Sequence, residues 1–265
     1  MTTRQWLLST WDGNIPLIVG CIAALFFYAI LCKLKFSGKS ILFTIGVILF
    51  FIALDSPISF LAKGTLFSAH MIQHLLLVLI VPPLLLLGLP VPPHRHILSL
   101  ARWIKLPLVA WFSGVGAMWF WHIPAFCDAA ASNEFIHSLQ TFSLLFLGIL
   151  FWRPIVGPRT EERLFPLTGI LYLFTACVAC TLLGIWISFS SVSVCPIFMH
   201  PANPSILPLI QGWGLTPASD QQIGGLLMWV PACLVYLIAI LFLLRRFYHQ
   251  HGNAVPFPSK EKRKK

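Results

Sequence analysis

The sequence is poor in charge. Only 10% of its 265 residues are charged, with eight Asp and Glu in all, whereas 58% are hydrophobic. A soluble domain carries about 25% charged residues, so this chain cannot clothe its apolar bulk in a water-facing surface. Short alternating apolar and polar segments are also lacking, which excludes a spanning β-barrel. There is no HExxH motif, no phosphate-binding loop and no nucleophile–base arrangement, so an enzyme is not expected. Seven cysteines without regular spacing make no disulfide framework. The net charge of +10 sits in short connections and one tail rather than in a patch, which argues against nucleic acid. The opening MTTRQWLLSTWDGN lacks the apolar core and cleavage site of a signal peptide, leaving the first spanning helix as the expected insertion signal.

What is abundant is long apolar runs, each of a length that crosses a bilayer as a helix. They predict helices near 15–34, 40–58, 66–89, 107–124, 135–152, 164–188 and 222–246. Pro57, Pro90 to Pro93, Pro124, Pro154 to Pro158 and Pro196 to Pro217 punctuate them. A tight hairpin is expected around Leu61 to Thr65. Sixteen of the eighteen Lys and Arg residues fall on one side of these alternating connections, and only Arg4 and Lys63 on the other. The positive-inside rule then predicts an all-α integral membrane protein, a bundle of about seven transmembrane helices with the N-terminus out and the C-terminus in. It would be a multi-pass protein of the cell (plasma) membrane. Its parts would be an outer N-terminal segment 1–14, a transmembrane domain 15–246 and a basic cytoplasmic tail 247–265. Oligomeric state is not encoded in any of these patterns.

Ionisable groups within spans are expensive and usually line a site. On this topology His70, His74, His122 and His137 all fall in the outer part of the membrane, with Met118 and Met228 at a similar depth or slightly deeper. At about 1.5 Å of rise per residue, His70, His122 and His137 lie roughly 3–6 Å from the outer helix ends, and His74, Met118 and Met228 roughly 9–12 Å. His70 and His74 are four apart and share a helix face. Imidazoles and thioethers converging from four helices suit a borderline-to-soft metal, copper first. Asp55 and Asp220, at outer helix ends, are placed to orient the imidazoles. The plainer reading is that intramembrane histidines bond between helices and methionines fill gaps. Met71 and Met199 are read as packing residues, and so are Cys177 and Cys180. Cys127 and Cys195 both lie outside and could pair or bind metal. Trp103, Trp119, Trp121, Trp152 and Trp186 near helix ends read as interfacial anchors.

Four segments together resemble the Bacillus-type CtaG family, the assembly factors of caa-type cytochrome c oxidase. They are TLFSAHMIQHLLLVLIVPPLLLLGLP at 65–90, WFWHIPAFCDAA at 119–130, FLGILFWRPIVGP at 146–158 and DQQIGGLLMWVPACLVYL at 220–237. The resemblance runs from about Leu54 to Phe247. It implies a polytopic protein needed for mature haem–copper oxidase, with oxidase subunits and membrane lipid as partners and copper as cargo. The family's motif histidines fall on His70, His74, His122 and His137, and its later motif on Asp220 and Met228. One departure is Thr141, where the family pattern has a second histidine four residues after the one matching His137. Three functions compete: a copper-handling assembly factor, a purely structural chaperone for an oxidase subunit, and a haem-binding membrane protein.

Overall fold

The computed structural model describes residues 10–33, 35–91, 107–200 and 207–251. The expected basic residues Arg4, Arg95, Arg102 and Lys105, with His94, His96 and Trp103, lie outside the described residues, as does 252–265 of the basic tail. The described residues are mostly helical, with no strand among them.

The longer helices are α1 (Ile15–Leu31), α2 (Gly38–Asp55), α4 (Phe67–Gly88), α5 (Pro107–Trp121), α7 (Glu134–Val156), α8 (Pro166–Phe189) and α10 (Pro217–His251). Short helices α3 (Pro57–Ala62), α6 (Pro124–Ser132) and α9 (Leu207–Gly212) lie between them. Five helices, α2, α4, α7, α8 and α10, are long and apolar enough to cross a membrane, and α1 is a shorter apolar helix. The outward faces of the longer helices carry residues such as Phe26, Phe112, Phe146, Phe174 and Ile238, all more than half exposed. Such a surface is tolerated in hydrocarbon and would aggregate in water.

The helix starts follow local chemistry. Asn14 accepts a hydrogen bond from Leu17 N–H at 3.1 Å, and Asn133 accepts from Phe135 and Ile136 N–H. Pro57, Pro107, Pro124, Pro166 and Pro217 occupy first-turn positions where a missing N–H costs nothing. The expected hairpin between the second and third spans is instead the short helix α3. It starts at Ser56, whose hydroxyl accepts from Ile58 N–H. Pro154 does not end α7, which runs on to Val156.

Proline also explains an irregularity in α4. Pro82 has no N–H to offer the Val78 carbonyl four residues earlier. Leu76–Ile80 is wound as a π-turn there, and Trp152 Nε1–H from α7 donates to Val78 O at 2.9 Å. Trp152 is thus buried in the core at 2% exposure, and Trp121 is buried too, donating to Ser143 Oγ. Neither is the interfacial anchor expected from its place near a helix end; Trp119 and Trp186 are exposed.

The most extensive pairing is α8 against α10. It is close because Gly225 faces Gly184: a Cβ on Gly225 would lie 2.7 Å from Ser188 N and 2.8 Å from Gly184 O. Next to it, Gly224 packs under Phe67 and Met71 of α4. The two glycines therefore seat α10 against α8 and α4 at once, which sets the distance across the space that holds the histidines.

Candidate metal centre

Helix α4 carries the first part of the site. Leu66, at its N-cap, makes no side-chain cap, so the first-turn amides need acceptors from elsewhere. Asp220 of α10 provides them: its carboxylate accepts from Phe67 N–H at 2.6 Å and from Ser68 N–H at 3.1 Å. The cap fixes the turn that precedes His70. His70 and His74 then project from one face, with ring centroids 4.2 Å apart, and His122 approaches His74 at 5.3 Å. All three are buried to within 1% of complete.

The roof over this trio is the segment after α8. Cys127 of α6 is joined to Cys195 by a disulfide, so of the two readings open for this pair the structure shows the bond. Asp128 accepts from Ile197 N–H at 3.0 Å, and Gln221 accepts from Val194 N–H at 3.1 Å. So held, the short 3-10 turn Pro196–Met199 places Phe198 against His70, with ring centroids 5.5 Å apart, and against Phe67 at 5.6 Å.

Hydrogen bonding divides the histidines into two kinds. Neither ring nitrogen of His70 or His74 has a partner in good hydrogen-bond geometry, although the Ala62 backbone lies beside His70 and the Gln140 side chain beside His74. His122 is held differently. Its Nδ1 faces the Met118 carbonyl, and a carbonyl can only accept, so the proton sits on Nδ1. Nε2 therefore carries a lone pair, and it points at the Met71 sulfur 3.2 Å away. The thioether has lone pairs of its own and no proton to share. Two lone pairs therefore face one another beside the rings of His70 and His74, each of which carries one N–H and one further lone pair when neutral. A neutral buried polar atom left so costs about 1–3 kcal/mol.

The other sequence candidates fall around this nucleus. His137 is only half-buried and contacts α4 through Gln73, with Nε2 3.3 Å from Gln73 Oε1. Met118 contributes its carbonyl to His122, while its side chain joins Met228, Cys180 and Tyr236 around a separate small cavity of about 10 Å³ that no histidine lines. Asp55 accepts from Asn14 N–H at 2.9 Å. Among the described residues neither Asp55 nor Asp220 bonds to a histidine, and both stabilise backbone amides instead. Thr141 is buried, and the neighbouring Gln140 has an unpartnered side-chain nitrogen. Among the described residues no three His, Cys, Asp or Glu side chains already converge as ligands to one ion. A donor set that fits here includes the Met71 thioether, which sequence reasoning assigned to packing. Its signal was the spacing to His74: three residues apart, the two share a face.

Five helices long and apolar enough to cross a membrane, with His70, His74, His122 and Met71 buried among the helices, define the class: a polytopic helical membrane protein. The family model for the cytochrome c oxidase caa3 assembly factor (Caa3_CtaG) matches residues 23–250, and the chain belongs to that family. It is also 25% identical over 215 residues to an uncharacterized protein of Mycobacterium leprae (strain TN), covering 72% of this chain and 32% of the relative. Uncharacterized proteins of Mycobacterium bovis and Mycobacterium tuberculosis are each 25% identical over 209 residues, covering 71% of this chain and 31% of theirs. The chain spans about a third of the length of the curated relatives it matches. No solved structure matches it.

Proposed function

We propose that this chain is a non-enzymatic assembly factor for haem–copper cytochrome c oxidase that holds Cu(I) among His70, His74, His122 and Met71, near the outer face of the membrane. Membership of the oxidase-assembly family supports the process, and oxidase subunits are then its partners. The observation that carries the metal is the lone pair of His122 Nε2 set against the Met71 sulfur. A carbonyl that fixes the tautomer of an imidazole is the usual way a protein prepares a metal-binding nitrogen. Cu(I) favours thioether and imidazole donors and would supply the charge that this pocket lacks. Met118 and Met228 lie one layer further in, and His137 one step to the side. A haem fits less well, because rings 4.2 Å apart leave no slot for a macrocycle between His70 and His74.

In this reading the seven longer helices all span the membrane, with residues 1–14 outside and 247–265 as a cytoplasmic tail. The charge asymmetry supports that orientation. So does the Cys127–Cys195 disulfide, which persists in an oxidising compartment. The second reading, a structural chaperone acting by helix packing, is favoured by the lack of three converged ligands among the described residues.

Anaerobic competition with a Cu(I) chelator on protein purified in detergent separates the two. His122→Ala and the His70→Ala/His74→Ala double variant are expected to lose tight copper binding, and cells carrying them to lose oxidase activity under copper limitation. Unchanged affinity together with normal oxidase activity refutes the copper site. Unchanged affinity with lost activity favours the packing chaperone.

A further inference from the structure

The histidine trio is sealed on its outer side by Phe198 and is almost fully buried, so an ion bound there needs a way in. The only group of the histidine set that reaches open space is His137. It lines a cavity of about 800 Å³ between α1 and α2 on one side and α7 on the other. The wall changes character along its length. Leu54 and Phe142 belong to the apolar part, and Lys63, Glu134 and His137 to the polar part. Lys63 is paired with Asp12 at 2.8 Å, though its ammonium still bears on His137, and Glu134 adds a carboxylate to the cavity wall. Two carboxylates thus stand against one ammonium around the cavity.

From the cavity a polar path leads inward. Gln73 Nε2–H donates to Ala53 O at 2.9 Å, which turns Oε1 toward His137. His137 Nε2 must then be the protonated nitrogen, and Nδ1 keeps the lone pair. Gln73 itself is 1% exposed and sits on α4 between His70 and His74 in the chain. Thr141, one turn beyond His137 on α7, lines the same cavity, and the side chain of Gln140 beside it lies next to His74 in the interior.

We propose that this cavity is the exchange port of the buried site, taking a soft monovalent metal ion, and that His137 is its transfer residue rather than a resident ligand. The proposal rests on the copper reading above and assigns it a route. His137 binds the ion on the cavity side, and the ion passes Gln73 to reach His74 and His70. A port residue controls how fast the ion moves in and out without setting how tightly it is held.

Gly20 lines the cavity, and a Cβ placed on it meets nothing within 4 Å, so a large side chain there plugs the port with little strain on α1. Gly116 of α5 is equally open and does not line the cavity, which makes it the control. The experiment follows Cu(I) transfer from the full-length protein to a chelator by anaerobic stopped flow, alongside equilibrium competition. Gly20→Trp and His137→Ala are expected to slow transfer in both directions by about tenfold or more. Their equilibrium affinity should stay that of wild type, and Gly116→Trp should change neither. Should Gly20→Trp fold poorly, Gly20→Leu and His137→Ala carry the test. Wild-type rates in the plugged and His137 variants overturn the port. Affinity that falls together with the rate in His137→Ala makes His137 a resident ligand and also overturns it. If wild type binds no tighter than His70→Ala/His74→Ala, the copper reading itself has failed and the port fails with it.

Discussion

Asp220 is the residue whose removal should damage the fold most for its size. Its carboxylate accepts two amides at the start of α4, from a helix 153 residues away in sequence, at 3% exposure. Hydrogen bonds to a charged group contribute about 1.5–3 kcal/mol each, and the amides have no other acceptor if it is lost. Asp220→Ala should therefore cost about 3–6 kcal/mol, a large share of the roughly 5–15 kcal/mol that holds a typical domain together. Asp220→Asn keeps one acceptor oxygen and loses the charge, so its cost should lie between Ala and wild type. Asp128 gives an internal scale, since it accepts a single amide, Ile197 N–H, in a part-buried place. Asp128→Ala should cost about 1 kcal/mol. Thermal unfolding in detergent, read by tryptophan fluorescence, orders the variants. Asp220→Ala within about 0.5 kcal/mol of wild type would refute the cross-helix cap, as would equal losses at Asp128 and Asp220.

Gly225→Ala should destabilise by about 1–3 kcal/mol, because the added methyl meets backbone of α8 on one side and Ser188 on the other. Gly116→Ala, in open space, should be neutral or stabilising by about 0.5–1 kcal/mol in the same melts, and the reverse order would mean that α8 and α10 are not seated through glycine. For orientation, reporters fused after Lys39, Arg159 and Lys265 should read cytoplasmic, and one near Asp128 external. Two discordant reporters would overturn the seven-span arrangement.

The long helices were readable because hydrocarbon leaves few choices: an apolar run of the right length is a helix, and its ends differ from expectation by a few residues. What escaped was whatever depends on a neighbour. Helices α3 and α6 are too short and too mixed in composition to show a period. Pro154 looked like a terminator, but α7 tolerates it near its end. Trp121 and Trp152 sit where anchors sit, yet each spends its indole N–H on a partner from another helix. No single-helix pattern records that.

The site divides along the same line. His70 and His74 announced themselves by spacing, and His122 by its place at the end of an apolar run. Asp55 and Asp220 were read as carboxylates for imidazoles because both kinds of residue lie near the outer helix ends. The structure gives those carboxylates to backbone amides. The DQQIGG stretch therefore builds more than it binds: Asp220 caps α4, Gln221 holds the roof, and Gly224 and Gly225 set the helix spacing. Inside a bilayer every buried polar group must find a partner, so a residue kept for capping and one kept for ligation look alike in a sequence. They differ in what remains unsatisfied after folding. Asp220 and Gln221 end with their oxygens occupied, whereas His70 and His74 end with no ring nitrogen in a well-formed hydrogen bond and His122 with a lone pair against sulfur. Ser59, Thr65, Gln140, Ser193 and Trp229 also end with an unpartnered polar atom, so the proposed metal site rests on the grouping of imidazoles with a thioether rather than on unmet hydrogen bonds alone.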